Sequence, residues 1–260
     1  MYAPDQQYRL LEVAARADAL GVDFVDVTDH VLMGEGALTS GHGWQPHHLE
    51  MAIPEPLTTL AAMAGCTERI KLLSAVVIAP LRPAGLLAKQ AATLHALSQG
   101  RFVMGVSVAG TRMNTTPWEF RSSSAARCST TSSERVGSCG RRRPPASTAA
   151  PSTFDNMYCS PRPLEHERIP IWFGGFFTPK LIRRVTELGD GWLLYGGLGM
   201  SLAQKADAIA QLKQAFTAAN RNTSELELCD EVDPLNGDLG RSMAQFPTWQ
   251  RRASPRCAST

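Results

Sequence analysis

Residues 70–108 read IKLLSAVVIAPLRPAGLLAKQAATLHALSQGRFVMGVSV, and this stretch decides the fold class. Two runs of mostly apolar residues rich in β-branched side chains, 70–79 and 101–108, predict buried strands. Between them, apolar residues recur at helical spacing over 83–98, with Pro83 in the first turn. A strand, a helix and a second strand in this order form a parallel βα unit, so the sequence predicts an α/β fold.

The same alternation extends in both directions from this unit. Four further runs have the composition of strands, at 23–29, 170–175, 191–195 and 226–232. Four further segments have the apolar spacing of amphipathic helices, at 8–20, 55–65, 179–188 and 203–219. Strands that alternate with helices in this way predict one parallel sheet with its helices packed against it.

Six predicted strands are two fewer than a closed barrel of eight requires. The chain opens directly in a helix and ends in RRASPRCAST, where a closing strand would be expected. We therefore expect a (β/α)8 TIM-barrel-like fold that is incomplete, with its first and last strands missing and the whole chain, 1–260, as one domain. A doubly wound open sheet is the alternative. The connection of some 25 residues between the first predicted strand and the second helix favours the barrel, whose upper loops are often long.

One segment, 121–153, has a composition unlike the rest of the chain. Its 33 residues include nine Ser and six Arg, and they contain no Leu, Ile, Met or aromatic residue. Such a segment cannot supply a hydrophobic core, so we expect it to be disordered. The tail 251–260 is similarly aberrant. An Arg/Ser-rich run can also form an RNA-binding arm, but the absence of aromatic side chains for base stacking argues against that function.

The formal net charge of +2 comes from these two aberrant segments. They contain nine Arg and one Glu, and outside them 17 basic and 23 acidic residues remain, a net charge of −6. An acidic body gives no support for a nucleic-acid or membrane surface. The six cysteines lack the spacing of a metal or redox motif, and no signal peptide or long apolar run is visible. These features favour a soluble cytoplasmic protein with reduced thiols.

Two positions at predicted strand ends are candidates for chemistry. Asp29 and His30 close the run DFVDVTDH, and the C-terminal ends of barrel strands carry catalytic residues. A histidine is suited to proton transfer because its pKa lies near neutral pH. The alternative is that Asp29 caps the loop and His30 packs against its wall.

A second candidate is the strand-to-helix turn in WFGGFFTPK. Gly174, Gly175 and Thr178 leave backbone N–H groups and a helix N-terminus available to an anion, although Thr178 can instead serve as an ordinary N-cap. The long loop carries His42, His47 and His48, but their spacing matches no common metal site, and we predict none. We interpret this loop as a substrate lid with Trp44 as one wall.

Three stretches together resemble the luciferase-like monooxygenase superfamily: FVDVTDHV, the run from EPLTTLAAMAG to RFVMGVSV, and SPRPLEHERIPIWFGGFFTPKLIRRVTELGDGWLLY. Within it, they are most similar to the oxidoreductases of actinobacteria that depend on the deazaflavin coenzyme F420. The resemblance covers residues 2–109 and 154–248. It implies a (β/α)8 barrel, a small organic substrate and, for many members, a homodimer.

The resemblance also implies roles for particular residues. His30 would act as acid or base at the cofactor ring, and Asp29 would orient it. A non-proline cis peptide at Ala75–Val76 would support the ring, while Ser107 and the turn residues Gly174, Gly175 and Thr178 would bind the cofactor phosphate. The implied function is hydride transfer between F420 and a small organic substrate, with an FMN-dependent monooxygenase as the alternative.

An inactive relative is a third possibility. Where the family has a long amphipathic helix, 121–153 has the residues that GC-rich codons give when read out of frame. Two compensating frame changes, near Ala109 to Phe120 and near Thr153, and a third near Gln250 would produce both aberrant segments. Translation of the coding DNA in all three frames tests this hypothesis, since a lost apolar helix should reappear in another frame.

Overall fold

The computed structural model describes residues 9–31, 52–107, 160–161, 168–194 and 199–230. Some predictions concern residues outside these ranges: disorder of 121–153, an aberrant tail at 251–260, Trp44 as a lid residue, and the three histidines of the same loop.

The predicted strands and helices are present, with ends that differ by a few residues from the predicted ones. The strands are β1 (Phe24–Val27), β2 (Lys71–Ile78), β3 (Phe102–Ser107), β4 (Ile171–Gly174), β5 (Gly191–Leu194) and β6 (Glu227–Asp230). The helices are α1 (Leu10–Ala19), α2 (Pro56–Ala64), α3 (Ala84–Leu97), α4 (Pro179–Leu188) and α5 (Leu202–Ala218). Pro83 is the N-cap of α3 and not part of its first turn.

All neighbouring strands of the sheet are parallel, and their order is β1-β2-β3-β4-β5-β6. A doubly wound sheet reverses its strand order near the middle, whereas a barrel adds each strand beside the previous one. The sequential order therefore supports the barrel. Within the described residues the sheet has six strands, so the predicted incomplete TIM-barrel-like fold is confirmed.

The sheet has one face covered by helices and one inner face. Alternate strand residues such as Leu72, Phe102 and Ile171 join the main core with the buried sides of all five described helices. The intervening residues form a smaller apolar cluster without helix residues, composed of Leu73, Val103, Trp172 and Leu193. This second cluster lines the inner face of the barrel, and the C-terminal ends of the strands form its mouth.

The centre of the sheet is irregular where β2 meets β3. The pairing register shifts between Ser74 and Val77, and the peptide bond between Ala75 and Val76 is cis. The Ser74 hydroxyl donates a hydrogen bond of 3.0 Å to the carbonyl oxygen of Gly105 on β3. The non-proline cis peptide that the family resemblance implied is thus present, and it lies in the half of β2 that approaches the mouth.

Candidate active site

Asp29 and His30 follow the end of β1 at the mouth of the barrel. The strand ends at Val27, and the polar residues Thr28 and Asp29 follow it. The Asp29 side chain is almost fully buried, and His30 is half-buried. Both predicted residues therefore lie at the strand end that the sequence indicated.

The Asp29 carboxylate accepts hydrogen bonds from the end of β2 and the turn that follows it. Oδ2 accepts from the backbone N–H of Ile78 at 2.8 Å and from Nη1 of Arg82 at 2.5 Å. Oδ1 accepts from Nη2 of Arg82 at 3.2 Å. The two side chains thus form a bidentate ion pair, which is the strongest geometry for a guanidinium and a carboxylate.

Arg82 also contacts a second carboxylate. Its Nη2 donates to Oε1 of Glu55 at 2.8 Å, and Oε2 of Glu55 accepts from the backbone N–H of Thr58 as the N-cap of α2. Burial alone would lower the pKa of Arg82, but the bonds and charges of Asp29 and Glu55 outweigh burial and raise it. The three residues thus join the end of β1, the turn after β2 and the start of α2 through one permanent positive charge.

The local environment favours the neutral form of His30. Partial burial lowers the pKa of its imidazole below the usual value of 6.5, and the negative charge of Asp29 opposes this effect without cancelling it. A neutral imidazole has one nitrogen that can accept a proton and one that can donate. His30 is therefore in the protonation state that a general base requires.

Asp26 is an acidic residue on the largely apolar inner face below the mouth. The rings of Phe24 and Trp172 are tilted against each other with centroids 5.4 Å apart. Asp26 alternates with Val25 and Val27, which face the helices, so it lies on this inner face. Water reaches it, yet the surrounding protein partly desolvates it, and this burial raises the pKa of its carboxyl. Sequence reasoning did not single out Asp26.

The turn after β4 has the features predicted for an anion site. Gly175 has φ +140°, a conformation that favours glycine, and open space lies where a side chain would project. Its carbonyl oxygen accepts from Nε1 of Trp192 at 3.2 Å. Thr178 is the N-cap of α4, and its hydroxyl oxygen accepts from the N–H of Leu181 at 3.2 Å. The ordinary capping function of Thr178 is therefore present, and the hydroxyl hydrogen is left to donate elsewhere.

The cavity beside this turn differs from the mouth in its chemistry. It measures about 320 Å³ and lies between the residues after β4 and helix α5. Its lining includes Phe176, Phe177, Met200, Gln204 and Asp207. The Asp207 carboxylate in the wall makes this cavity unfavourable for an anion.

The remaining predicted residues are distributed as follows. Ser107 is the last residue of β3, half-buried and paired in register with Ile78. It therefore lies at the mouth, next to the turn that leads to Arg82. His42, His47 and His48 lie outside the described residues. Among the residues that are described, no three His, Cys, Asp or Glu side chains are grouped as metal ligands would be, and no helix has the length and apolarity needed to cross a membrane.

Comparison with known proteins identifies relatives of this architecture. A family model described as luciferase-like monooxygenase matches residues 3–233. A search of curated proteins finds no significant match.

Three solved structures share the fold at low sequence identity. A monooxygenase, RslO1 from Streptomyces bottropensis, superposes with a TM-score of 0.74 at 20% identity, covering 93% of this chain and 72% of that one. An F420-dependent secondary alcohol dehydrogenase in complex with an F420-acetone adduct superposes with a TM-score of 0.69 at 19% identity, covering 86% of this chain and 65% of that one. The oxygenating constituent of 3,6-diketocamphane monooxygenase from Pseudomonas putida, in complex with FMN, superposes with a TM-score of 0.60 at 16% identity. The superposition covers 87% of this chain and 62% of that one. The chain thus spans 62 to 72% of the length of these three structures.

Proposed function

The chain belongs to the luciferase-like monooxygenase family, a family of oxidoreductases, and from that premise we propose that it is an F420-dependent oxidoreductase. In this proposal hydride passes between the deazaflavin and a small organic substrate at the mouth of the barrel. The observation that carries the proposal is the arrangement at the ends of β1 and β2. There a neutral, half-buried His30 follows a buried Asp29, which is bonded to the residues just beyond the cis peptide segment.

The residues of the mouth fit a tricyclic ring with a phosphate tail. Ala75 and Val76 pack against the apolar cluster of the inner face, which offers a surface for a flat aromatic group. At the other side of the mouth, Gly175 leaves room for close approach, and the N-terminus of α4 favours negative charge. In the proposal Gly174, Gly175, Thr178 and Ser107 bind the phosphate, while Ala75 and Val76 support the ring.

His30 would handle the proton that accompanies hydride transfer. Bound F420 supplies a ring carbon that accepts or gives a hydride. For an alcohol substrate, the neutral imidazole of His30 would accept the O–H proton while the C–H hydrogen is transferred as a hydride to the bound group, which leaves a carbonyl compound. Protonated His30 would then return its proton to water, so that no further reactant is needed.

The cofactor is the part of the proposal that most needs a test. One structural neighbour is F420-dependent and another is in complex with FMN, so both must be offered to this chain. The purified 260-residue protein is titrated with F420 and, in parallel, with FMN, and fluorescence is followed. Saturable micromolar binding of F420 in preference to FMN is expected. Preference for FMN would replace the proposal by an FMN-dependent monooxygenase, and a folded protein that binds neither would support the inactive relative.

Two variants locate the phosphate contact. Thr178→Val removes the hydroxyl at the proposed site and also removes a helix cap, which costs about 1 kcal/mol of stability. Asn222→Ala is the matched control, because it removes a capping side chain between α5 and β6, at the opposite end of the barrel. We expect weaker F420 binding for Thr178→Val only. Equal binding by both variants would remove Thr178 from the proposed site.

A further inference from the structure

We propose that Arg82 is a positioning residue, which holds Asp29 in place and through it fixes His30 at the mouth of the barrel. No sequence motif identified this residue, and its function emerges from contacts between three separate segments. The inference rests on the proposed function for the catalytic meaning of His30, but the contacts themselves are independent of any cofactor.

Both terminal nitrogens of Arg82 are engaged by carboxylates. Nη1 and Nη2 donate to the two oxygens of Asp29, and Nη2 also donates to Glu55. The side chain of Arg82 is only 10% exposed, and that of Asp29 is 2% exposed. A buried pair with bidentate geometry holds its atoms more rigidly than a surface ion pair, since water cannot replace either partner at low cost.

The position of Asp29 depends on this pair more than on its own strand. Residue 29 lies beyond the last hydrogen-bonded residue of β1, so the sheet ladder does not fix its backbone. The bonds that hold Asp29 come instead from Ile78 and Arg82, which flank the short 3-10 helix Ala79–Leu81 at the end of β2. His30 is covalently joined to Asp29 and likewise lies beyond the end of the ladder. A displacement of the Asp29 backbone therefore also displaces the adjoining backbone of His30.

The charge of Arg82 also controls how strongly Asp29 acts on His30. In the native arrangement the Asp29 carboxylate is paired with the Arg82 guanidinium. The positive charge of Arg82 partly cancels the electrostatic effect of Asp29 on the His30 imidazole. Among the residues that the structure describes, Glu55 is a second carboxylate on the same guanidinium. If Arg82 is replaced by an uncharged residue, the uncompensated Asp29 carboxylate stabilises protonated His30 more strongly, and the pKa of the imidazole rises.

The test is a titration of His30 by NMR in the cofactor-free, full-length chain labelled at histidine. The His30→Gln variant assigns the resonance among the six histidines. We expect Arg82→Met to raise the pH midpoint of His30 by about half a unit or more. Arg82→Lys keeps the charge and should leave the midpoint within about 0.3 units of the native value. A midpoint for Arg82→Met that coincides with the native one would overturn the inference.

Arg101→Met is the matched structural control. Arg101 is another partly buried arginine, and it donates to the carbonyl oxygens of Ala64, Thr67 and Ile70 at the opposite end of the barrel. Its loss should lower stability without moving the His30 midpoint. An equal shift in Arg101→Met and Arg82→Met would show that loosening of the fold, and not positioning by Arg82, is responsible.

Asp29→Asn keeps the test decisive if Arg82→Met does not fold. Removal of Arg82 leaves a buried carboxylate without its counter-charge, which destabilises the native state. The amide introduced by Asp29→Asn retains an oxygen for the Ile78 N–H while losing the charge, so the His30 midpoint should fall below the native one. An unchanged midpoint would show that Asp29 does not couple to His30, and the inference would fail. Because no cofactor is present, this failure is distinct from a failure of the protein to bind F420.

Discussion

The sharpest prediction concerns Gly105, at the centre of the sheet below the mouth. Gly105→Ala places a methyl group where none fits, because a Cβ there would lie 2.0 Å from the carbonyl oxygen of Ser74 and 2.8 Å from Cδ1 of Leu193. The first contact is with backbone, which cannot rotate away as a side chain can. Strands β2 and β3 must therefore separate at the position where their register already shifts. This separation breaks the 3.0 Å hydrogen bond from the Ser74 hydroxyl to the Gly105 carbonyl oxygen.

The magnitude follows from the overlap. Nonbonded heavy atoms are best separated by about 3.5 Å, so the first contact is more than about 1 Å too close. Overpacking in a core costs about 1–3 kcal/mol, and loss of a hydrogen bond adds about 1 kcal/mol. A total near 3 kcal/mol corresponds to a fall in Tm of about 6–12 °C for a chain of this size. We also expect weaker cofactor binding, since the displaced residues lie beside Ala75 and Val76.

Thermal unfolding of Gly105→Ala and Gly65→Ala, measured side by side, provides the assay. At Gly65 the added Cβ would meet only the carbonyl oxygen of Ala62 at 3.5 Å, an ordinary contact, and φ is −76°. Gly65→Ala should therefore be neutral or raise stability by up to about 1 kcal/mol. If Gly105→Ala unfolds within about 2 °C of the native chain, the close approach of β2 and β3 is wrong and the reasoning fails.

Two further predictions concern charged groups. Arg221→Met should lower the free energy of unfolding by about 2 kcal/mol, because the guanidinium donates to three carbonyl oxygens at the end of α4 and lies 4.2 Å from the centre of the Phe216 ring. Arg9→Met is the control, because it removes only an exposed pair with Glu12, and it should change the free energy of unfolding by less than about 0.5 kcal/mol. Urea unfolding measures both variants. Because the pKa of His30 is lowered in the folded state, the unfolded chain binds more protons below pH 6.5 and stability falls as the pH decreases through that value. His30→Asn should make this fall between about pH 7.5 and pH 5 smaller, and an unchanged slope would contradict the partial burial of His30.

The sequence was sufficient for the order of strands and helices. Runs such as 70–79 and 179–188 carry their periodicity locally, and a strand buried on both faces is apolar throughout, so the type of each element follows from the residues within it. Their ends were less certain: the sequence pattern extends the first strand to Asp29, yet β1 ends at Val27. The difference arises because strand ends depend on the neighbouring strand and not on the residues alone.

The candidate site was predictable only in part. Asp29, His30, Gly175 and Thr178 were predicted as site residues because strand-end and turn positions can be read along the chain. Arg82 was missed, although it stands between Leu81 and Pro83 in the very stretch that decides the fold. A single arginine before a proline has no local pattern that distinguishes an ion-pair partner from a solvated side chain. Arg82 would have been found by a search for basic residues that follow one predicted strand when the neighbouring predicted strand ends in an acidic residue.

The sequence by itself determined that this protein is built from parallel βα units, that polar residues such as Asp29 and His30 stand at strand ends, and which family it resembles. These are properties of short segments, set by side-chain size, polarity and spacing. Only the tertiary structure decided that Asp29 is bonded to Arg82 and Ile78, about fifty residues further along the chain, and that Gly105 lies against Ser74. Contacts between distant segments depend on strand register and on which groups burial forces to pair, and neither is written in the local pattern.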